Sequence, residues 1–580
     1  MAKESRIISD PCSFLQRNDP ELDEICFGSD PHDILPHGDD WGRFGDCISR
    51  STHLKQLSFG YMDRTDPEVT LDQYEQLCEH LAGNNSIKMV TVSTIQQFAG
   101  KELSAMIPFL KSNPNLIHLE LGGGGGEINL GGNAGQLLAK TLASFHTLHY
   151  FECAGYDVNS DNSDSSREIV KALSGHRQLK ELKMDNVLED YIGSYEALAL
   201  LLQKCRLLSK LVIHGDAVGD NCATILAVSL ASHRHLKALE LNMTEIGETG
   251  WFGISTLLMS TCVNIESLSF MGGWRGKQQI STDVLSSMAN NFAHSKKLKK
   301  LNLSGNLHIN LPGWKSLFEY LGDSECTLQN LDIDDTDMNN ERLHLLCELG
   351  LAKNSSLTDL CISRNNNISI GGLRGFNAVF QSCHSVLKSI CIGPIDDEIA
   401  LLFSGFLSQD SMVEGLSSSS SSDYTADVKI TQAGIEAFAK TLHNDASIMA
   451  TYNSNHTLTR LYFSGSEELH ADYLEKSLYL NAHYIPSYVA RLKILKSHFT
   501  GREEDNLKPL FDMPVELLSS AISWIGSACD NENDMKDSKT LMYQLIRRMP
   551  SLFDSIAKVK RKRTKQSKVS DYFLLMVGTE

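Results

Sequence analysis

Asp332, Asp334, Asp335 and Asp337 crowd four carboxylates into six residues, a set of hard oxygen donors of the kind that holds Ca²⁺. The Gly and the closing bidentate Glu of an EF-hand loop are absent, so a solvated acidic surface is expected here and no metal. Gly122–Gly126 follow an apolar stretch, as a phosphate-cradling loop would. No Lys-Ser/Thr pair comes after them, as that loop requires, and they read as a loose strand-to-helix connection. The chain contains no Gly-x-Gly-x-x-Gly, His-Glu-x-x-His, Gly-x-Ser-x-Gly or Cys-x-x-Cys, which removes the common nucleotide, zinc, acyl-transfer and redox signatures. No catalytic residue and no cofactor is expected; the chain reads as a non-enzyme.

Cys361 and Cys391 are more specific, because each holds the fifth place of a pattern L-x-x-L-x-L in consecutive copies. If the copies form neighbouring parallel strands about 4.8 Å apart, the two Cα atoms fall within disulfide range. That leaves a redox pair open, beside the plainer reading of two small residues tolerated on a sheet face.

The elements that must position these side chains are written in the same pattern. It appears as Leu22-Ile25-Phe27, Leu54-Leu57-Phe59, Ile87-Val90-Val92, Leu116-Leu119-Leu121, Leu148-Phe151-Cys153, Leu179-Leu182-Met184 and Leu208-Leu211-Ile213. It continues through Leu236-Leu239-Leu241, Ile265-Leu268-Phe270, Leu298-Leu301-Leu303, Leu328-Leu331-Ile333, Leu357-Leu360-Ile362 and Leu387-Ile390-Ile392 to Leu458-Leu461-Phe463. Starts recur every 28–33 residues, except for one gap of 71 after Leu387. A single three-apolar match means little, whereas a fixed period marks a repeat array. Alternation in each copy suits a strand with one buried face. The stretch that follows, as in Ile435–Leu442, has the three- and four-residue apolar spacing of an amphipathic helix. Parallel strands stacked along the array need less width than the helices behind them, so the stack is expected to curve with the sheet inside.

On these residues the chain resembles the ribonuclease-inhibitor-like class of leucine-rich repeat proteins over about residues 20–470. The resemblance implies an α/β solenoid, a curved horseshoe with a parallel β-sheet on the concave side and helices on the convex side. It also implies Asn, Cys or Thr three residues after the last strand leucine. Asp30, Asp216, Thr244, Asn306, Thr336, Asn365 and Ser466 fit that place, while Met62, Ile95, Gly124, Tyr156, Val187, Gly273 and Ile395 depart from it. Irregular turns are expected, above all in the N-terminal half. The 71-residue gap contains a repeat helix from Ile430 with Val413–Leu416 as its eroded strand, and insertions at Ser417–Ser422 and 445–455. Domains are therefore a tail at 1–20, the solenoid at 21–470 with a Ser-rich insertion near 409–428, a helical segment at 471–557 and a basic tail at 558–580. Leu492–Phe499, Met513–Leu518 and Met549–Asp554 resemble the C-terminal helical segment of algal members of this class.

The formal charge is −19, yet residues 558–568 carry seven Lys or Arg, which leaves the rest at −26. An acidic body disfavours nucleic acid, whose affinity comes largely from phosphate neutralisation. Neither an apolar leader nor a run of membrane-spanning length is present, so neither membrane binding nor secretion is expected. Fourteen cysteines without Cys-x-x-Cys read as reduced thiols in the cytoplasm, or in the nucleus with Lys558–Lys568 as an import signal.

If the array binds, the third, fifth and seventh places of each copy do it. They read His118, Glu120, Tyr150, Glu152, Glu181, Lys183, Asp185, Lys210, His214, Glu240, Lys300, Asp332, Asp334 and Asp359. Charges of both signs around Tyr150 suit a polar protein interface more than a lipid or small-molecule pocket. The simplest alternative is that they keep an exposed sheet soluble, with Glu152 and Lys183 as a cross-strand pair. The expected function is a protein-binding scaffold of unknown partner. Two others stay open: an F-box-like ubiquitin-ligase receptor, from Met513-Pro-Val-Glu-Leu-Leu518, and a regulator of a small GTPase or nuclear transport.

Overall fold

The fourth place of the motif lines up from strand to strand without a slip. In the computed structural model, Ile25, Leu57, Val90, Leu119, Phe151, Leu182, Leu211, Leu239, Leu268, Leu301, Leu331 and Leu360 stand side by side. Each is at most 2% exposed. A slip of one residue would turn this whole row to water, at about 1.5–3 kcal/mol per side chain.

The structure describes residues 22–498 with Cys12 and Leu15, apart from the stretches 28–40, 60–69, 94–100, 123–127, 131–132, 157–163, 189–191, 216–217, 258–263, 273–279, 409–411, 419–429 and 463–471. Outside the described residues lie the glycines after Gly122, most of Ser417–Ser422, the Met513–Leu518 motif and the basic run Lys558–Lys568. So do the turn positions Asp30, Met62, Ile95, Gly124, Asp216, Gly273 and Ser466.

Two compact units divide the chain, Met1–Leu387 and Lys388–Glu580, and the boundary falls inside the span read from sequence as one solenoid. The strands of the first unit are β1 (Glu24–Phe27), β2 (Gln56–Phe59), β3 (Met89–Val92), β4 (His118–Leu121), β5 (Ile128–Asn129), β6 (Tyr150–Tyr156) and β7 (Glu181–Asp185). They continue as β8 (Lys210–His214), β9 (Ala238–Asn242), β10 (Ser267–Ser269), β11 (Lys300–Asn302), β12 (Asn330–Asp332) and β13 (Asp359–Cys361). All pair in parallel with their neighbours in this order, except that short β5 adds to β6 from the side. Helices between the strands, such as Asn133–Leu142 and Asp220–Leu230, turn one apolar face inward: Ala134, Leu138, Ala139 and Leu142 in the former. This is the α/β architecture of a leucine-rich repeat solenoid, with helices on one side of a parallel sheet.

Close helix stacking requires glycine at one point. A Cβ on Gly250 would lie 2.6 Å from Asp220 Oδ1 and 2.8 Å from the Ala223 Cβ. Asp220 Oδ1 in turn accepts the Gly247 and Gly250 N–H groups at 2.7 and 2.9 Å, supplying orphan donors of the next helix start.

Two polar ladders tie each repeat to its predecessor. After the strand, Asn186, Met243, Gly305, Asp335 and Arg364 adopt the left-handed conformation, and the next residue turns inward. Thr244, Asn306, Thr336 and Asn365 are buried there. Asn365 Nδ2 donates to Ile333 O and Ile362 O at 3.0 and 2.9 Å, while its Oδ1 accepts from Thr336 N and Met338 N. Where Val187 takes the place, it is buried as an apolar filler, and Asn186 before it keeps the left-handed conformation and donates its N–H to His214 O. The second ladder lies three residues before the strand motif in several copies. Asn84 donates to Ile48 O at 2.6 Å, His176 Nε2 to Leu142 O at 2.9 Å, His233 Nε2 to Cys205 O at 3.1 Å and Asn354 to Leu321 O at 2.6 Å. Both ladders satisfy buried carbonyls that would otherwise be orphaned.

In the second unit β14 (Ser389–Ile392), β15 (Gly415–Ser418) and β16 (Arg460–Tyr462) are parallel. β15 arises at the eroded motif, where Val413 and Leu416 are each 1% exposed. Helices Asp472–His483 and Pro486–His498 follow β16. Here Asn455 donates to Leu407 O at 3.0 Å, but Leu442 O receives Lys493 Nζ at 2.7 Å instead of a repeat residue. No described helix is long and apolar enough to cross a membrane.

Candidate partner-binding face

The sheet face turned away from the helices carries the third, fifth and seventh motif places. Strand register sets them in rows. His118, Tyr150, Glu181 and Lys210 form one row. Thr91, Glu120, Glu152 and Lys183 form the next. These side chains alternate with buried ones, giving the half-buried, buried pattern of β4, β7, β8 and β9.

Tyr150 is the centre of one cluster. Its ring stacks on His118 at 3.9 Å with planes 3° apart, and its hydroxyl donates to Glu152. Lys183 Nζ donates to Glu152 Oε2 at 2.7 Å and lies 5.2 Å from the ring centroid. Burial and the bond to Glu152 push the Tyr150 hydroxyl up to about 12. Burial opposes the charge on Lys183, yet the bonds to Glu152 and Tyr150 outweigh it and raise its pKa above the usual value. His118, whose Nε2 lies 3.7 Å away, holds the Glu120 carboxyl below its ordinary value.

Further along, Lys210 pairs with Glu240 at 2.7 Å, and His214 Nδ1 lies 3.4 Å from Asp185. Glu181 and Lys300 form no ion pair among the described residues. Asp359 accepts from Thr358 Oγ1 at 2.7 Å.

Asp334 departs from the expectation of an exposed side chain. It is 8% exposed and takes an ion pair from Arg364, whose Nε is 2.7 Å away. Asp332 accepts from Ser304 Oγ at 2.9 Å and Asp334 N at 3.1 Å, and burial raises its carboxyl. Asp337 instead accepts from Asn367 Nδ2 at 2.6 Å. Asp332, Asp334 and Asp337 thus face different partners. Among the described residues, no group of three or more His, Cys, Asp or Glu is arranged to hold a metal ion.

Cys361 lies on β13 in the first unit and Cys391 on β14 in the second, each half-buried. Burial pushes the Cys153 thiol up to about 12 and Cys205 to about 11, so both stay protonated and unreactive at neutral pH. Sequence reasoning passed over Arg364, whose role depends on a left-handed turn, and the His118–Tyr150 stack. Equal motif places on consecutive strands were the available signal for the stack.

No family model matches the chain. The ribonuclease inhibitor of Mus musculus is 26% identical over 216 residues, 36% of this chain and 44% of the inhibitor. The ribonuclease inhibitor of Sus scrofa is 25% identical over 227 residues, 39% of this chain and 47% of the inhibitor. The chain thus spans less than half the length of the curated relatives it matches. Among solved structures, a chain of the yeast Rad7 and Elc1 complex is similar at a TM-score of 0.39 and 16% identity, over 68% of this chain and 84% of that one.

Proposed function

We propose that the chain, a leucine-rich repeat protein of the ribonuclease-inhibitor-like class, is a non-catalytic scaffold that holds a protein partner on the concave face of its repeat sheet. The observation carrying this is the Tyr150 cluster, where His118, Glu152 and Lys183 fix an aromatic ring on an open strand face. A ring and charges already held in place lose little freedom on binding, and aromatic residues amid polar ones are typical of interface centres. The acidic body argues against nucleic acid as partner. The same reading puts the protein in the cytoplasm. F-box-like and nuclear-transport readings rest on Met513–Leu518 and Lys558–Lys568, outside the described residues.

The test uses the full chain as bait in native lysate beside two variants. One changes Tyr150, Glu152, Lys183 and Lys210 to Ala. The other changes the helix-side residues Lys140, Lys171, Glu196 and Lys204 to Ala, all exposed. A protein retained by the second variant and lost by the first supports the concave face. Equal retention by both refutes it.

A further inference from the structure

We propose that a cleft in the second unit binds a small organic anion with an apolar body, with Lys493 as its counter-charge. The inference does not rest on the partner-binding reading, because every residue involved lies between 442 and 497.

The cleft has a volume of about 690 Å³ and is lined by His443, Ser477, Tyr479, Leu480, Tyr484 and Lys493, among others. Tyr479 and Tyr484 are 58% and 46% exposed, so apolar ring surface borders the opening. Glu475 is the one acid in the lining, and Lys476 beside it supplies a second cation. A mostly apolar recess with a few convergent polar groups is the usual form of a small-molecule site.

Lys493 gives the recess its sign. The residue is 1% exposed, and its Nζ donates to Leu442 O at 2.7 Å, Asn481 Oδ1 at 3.0 Å and Asn455 O at 3.3 Å. His456 Nδ1 is 3.5 Å away. All of these partners are neutral oxygens or a ring nitrogen; no carboxylate is among them. Burial alone pushes the amine down to about 7. Three carbonyl-type oxygens hold the amine in one place, and an anion in the cleft favours its protonated form, because attraction at low dielectric is strong. Leu480 and the Tyr479 and Tyr484 rings favour a carboxylate on a hydrocarbon body over a small inorganic ion.

Titration calorimetry on the full chain compares three probes with the same tail: octanoate, octylammonium and octanol. Octanoate is expected to saturate a single site at least about tenfold more tightly than octanol, a difference of about 1.4 kcal/mol, with octylammonium the weakest. Lys493→Met should erase the preference for octanoate over octanol. Since Lys493 also satisfies repeat carbonyls, that variant can fail to fold. Leu480→Trp, which fills the cleft and leaves Lys493 in place, should then abolish octanoate binding while circular dichroism stays unchanged. Equal binding of octanoate and octylammonium overturns the proposal, as does octanoate binding that survives Leu480→Trp. Absence of octanoate binding up to about 10 mM, well above the millimolar range of weak sites, also overturns it.

Discussion

Lys183 on β7 reaches back one strand to Glu152 on β6, closing a 2.7 Å ion pair beside the Tyr150 ring. Both side chains are partly exposed, 31% and 21%, so the pair is expected to stabilise modestly. A double-mutant cycle with Glu152→Gln and Lys183→Met should give a coupling of about 0.5–1 kcal/mol in urea unfolding, shrinking in about 1 M salt. Zero coupling at low salt would mean the two groups are held by the sheet and not by each other.

Asn365→Ala should be far more costly. Its amide satisfies carbonyls of two repeats and two backbone N–H groups, none of which water can reach. We expect a loss of about 2–4 kcal/mol, the range for orphaning several buried polar groups. Asn367→Ala, which removes an exposed contact to Asp337, should stay within about 0.5 kcal/mol. Equal losses for the two would show that burial of the ladder is not what matters.

Acid should weaken the fold through two histidines. The Nε2 atoms of His176 and His233 donate to carbonyls, and their buried Nδ1 atoms have no partner among the described residues. Burial holds both pKa values below the ordinary one. A depressed value means the unfolded chain takes up protons first. Their stabilisation is therefore complete above about pH 6.5 and is lost as pH falls below it toward the folded values. His176→Asn with His233→Asn places at both sites the residue that serves the same ladder at Asn84 and Asn354. The double variant should lose less stability than the parent between about pH 7.5 and 5 in urea midpoints. An unchanged difference would assign the acid sensitivity elsewhere.

Gly250→Ala tests helix stacking against helix propensity. Within an isolated helix the change would stabilise by about 0.5–1 kcal/mol. Here the added methyl meets Asp220, Ile246 and Ala223 at 2.6–2.8 Å, so the sign should reverse, with a loss of about 1–3 kcal/mol by thermal unfolding. A rise in Tm would refute the crowding argument.

Much of this fold is legible in the sequence. Leucine at the fourth place recurs because each copy must bury the same row, and so Leu182, Leu211 and Leu239 align as the spacing implied. The degenerate Val413–Leu416 stretch leads into a strand, Gly415–Ser418, which takes in Ser417 and Ser418 from the run read as an insertion. The second polar ladder was not legible, since Asn84, His176, Cys205 and His233 share a position and a duty but no side-chain type. Any donor that reaches back one repeat serves there, so composition hides it. Asp334 was misjudged for a related reason. Alternation places it with the exposed set, but its neutralising partner, Arg364, stands 30 residues away. The surface charges were readable individually; which of them cancel was not.

The Lys493 amine has a consequence for how far such a stack extends. Each repeat passes forward a carbonyl that only its successor can satisfy, as Leu321 O is met by Asn354 and Leu407 O by Asn455. Left open, the last rung would be a template for another copy of the chain, the hazard of any unfinished edge. Lys493 and Asn481 arrive from helices that are not repeats and occupy Leu442 O and Leu458 O. The series of rungs therefore has a terminator at the point where the period stops.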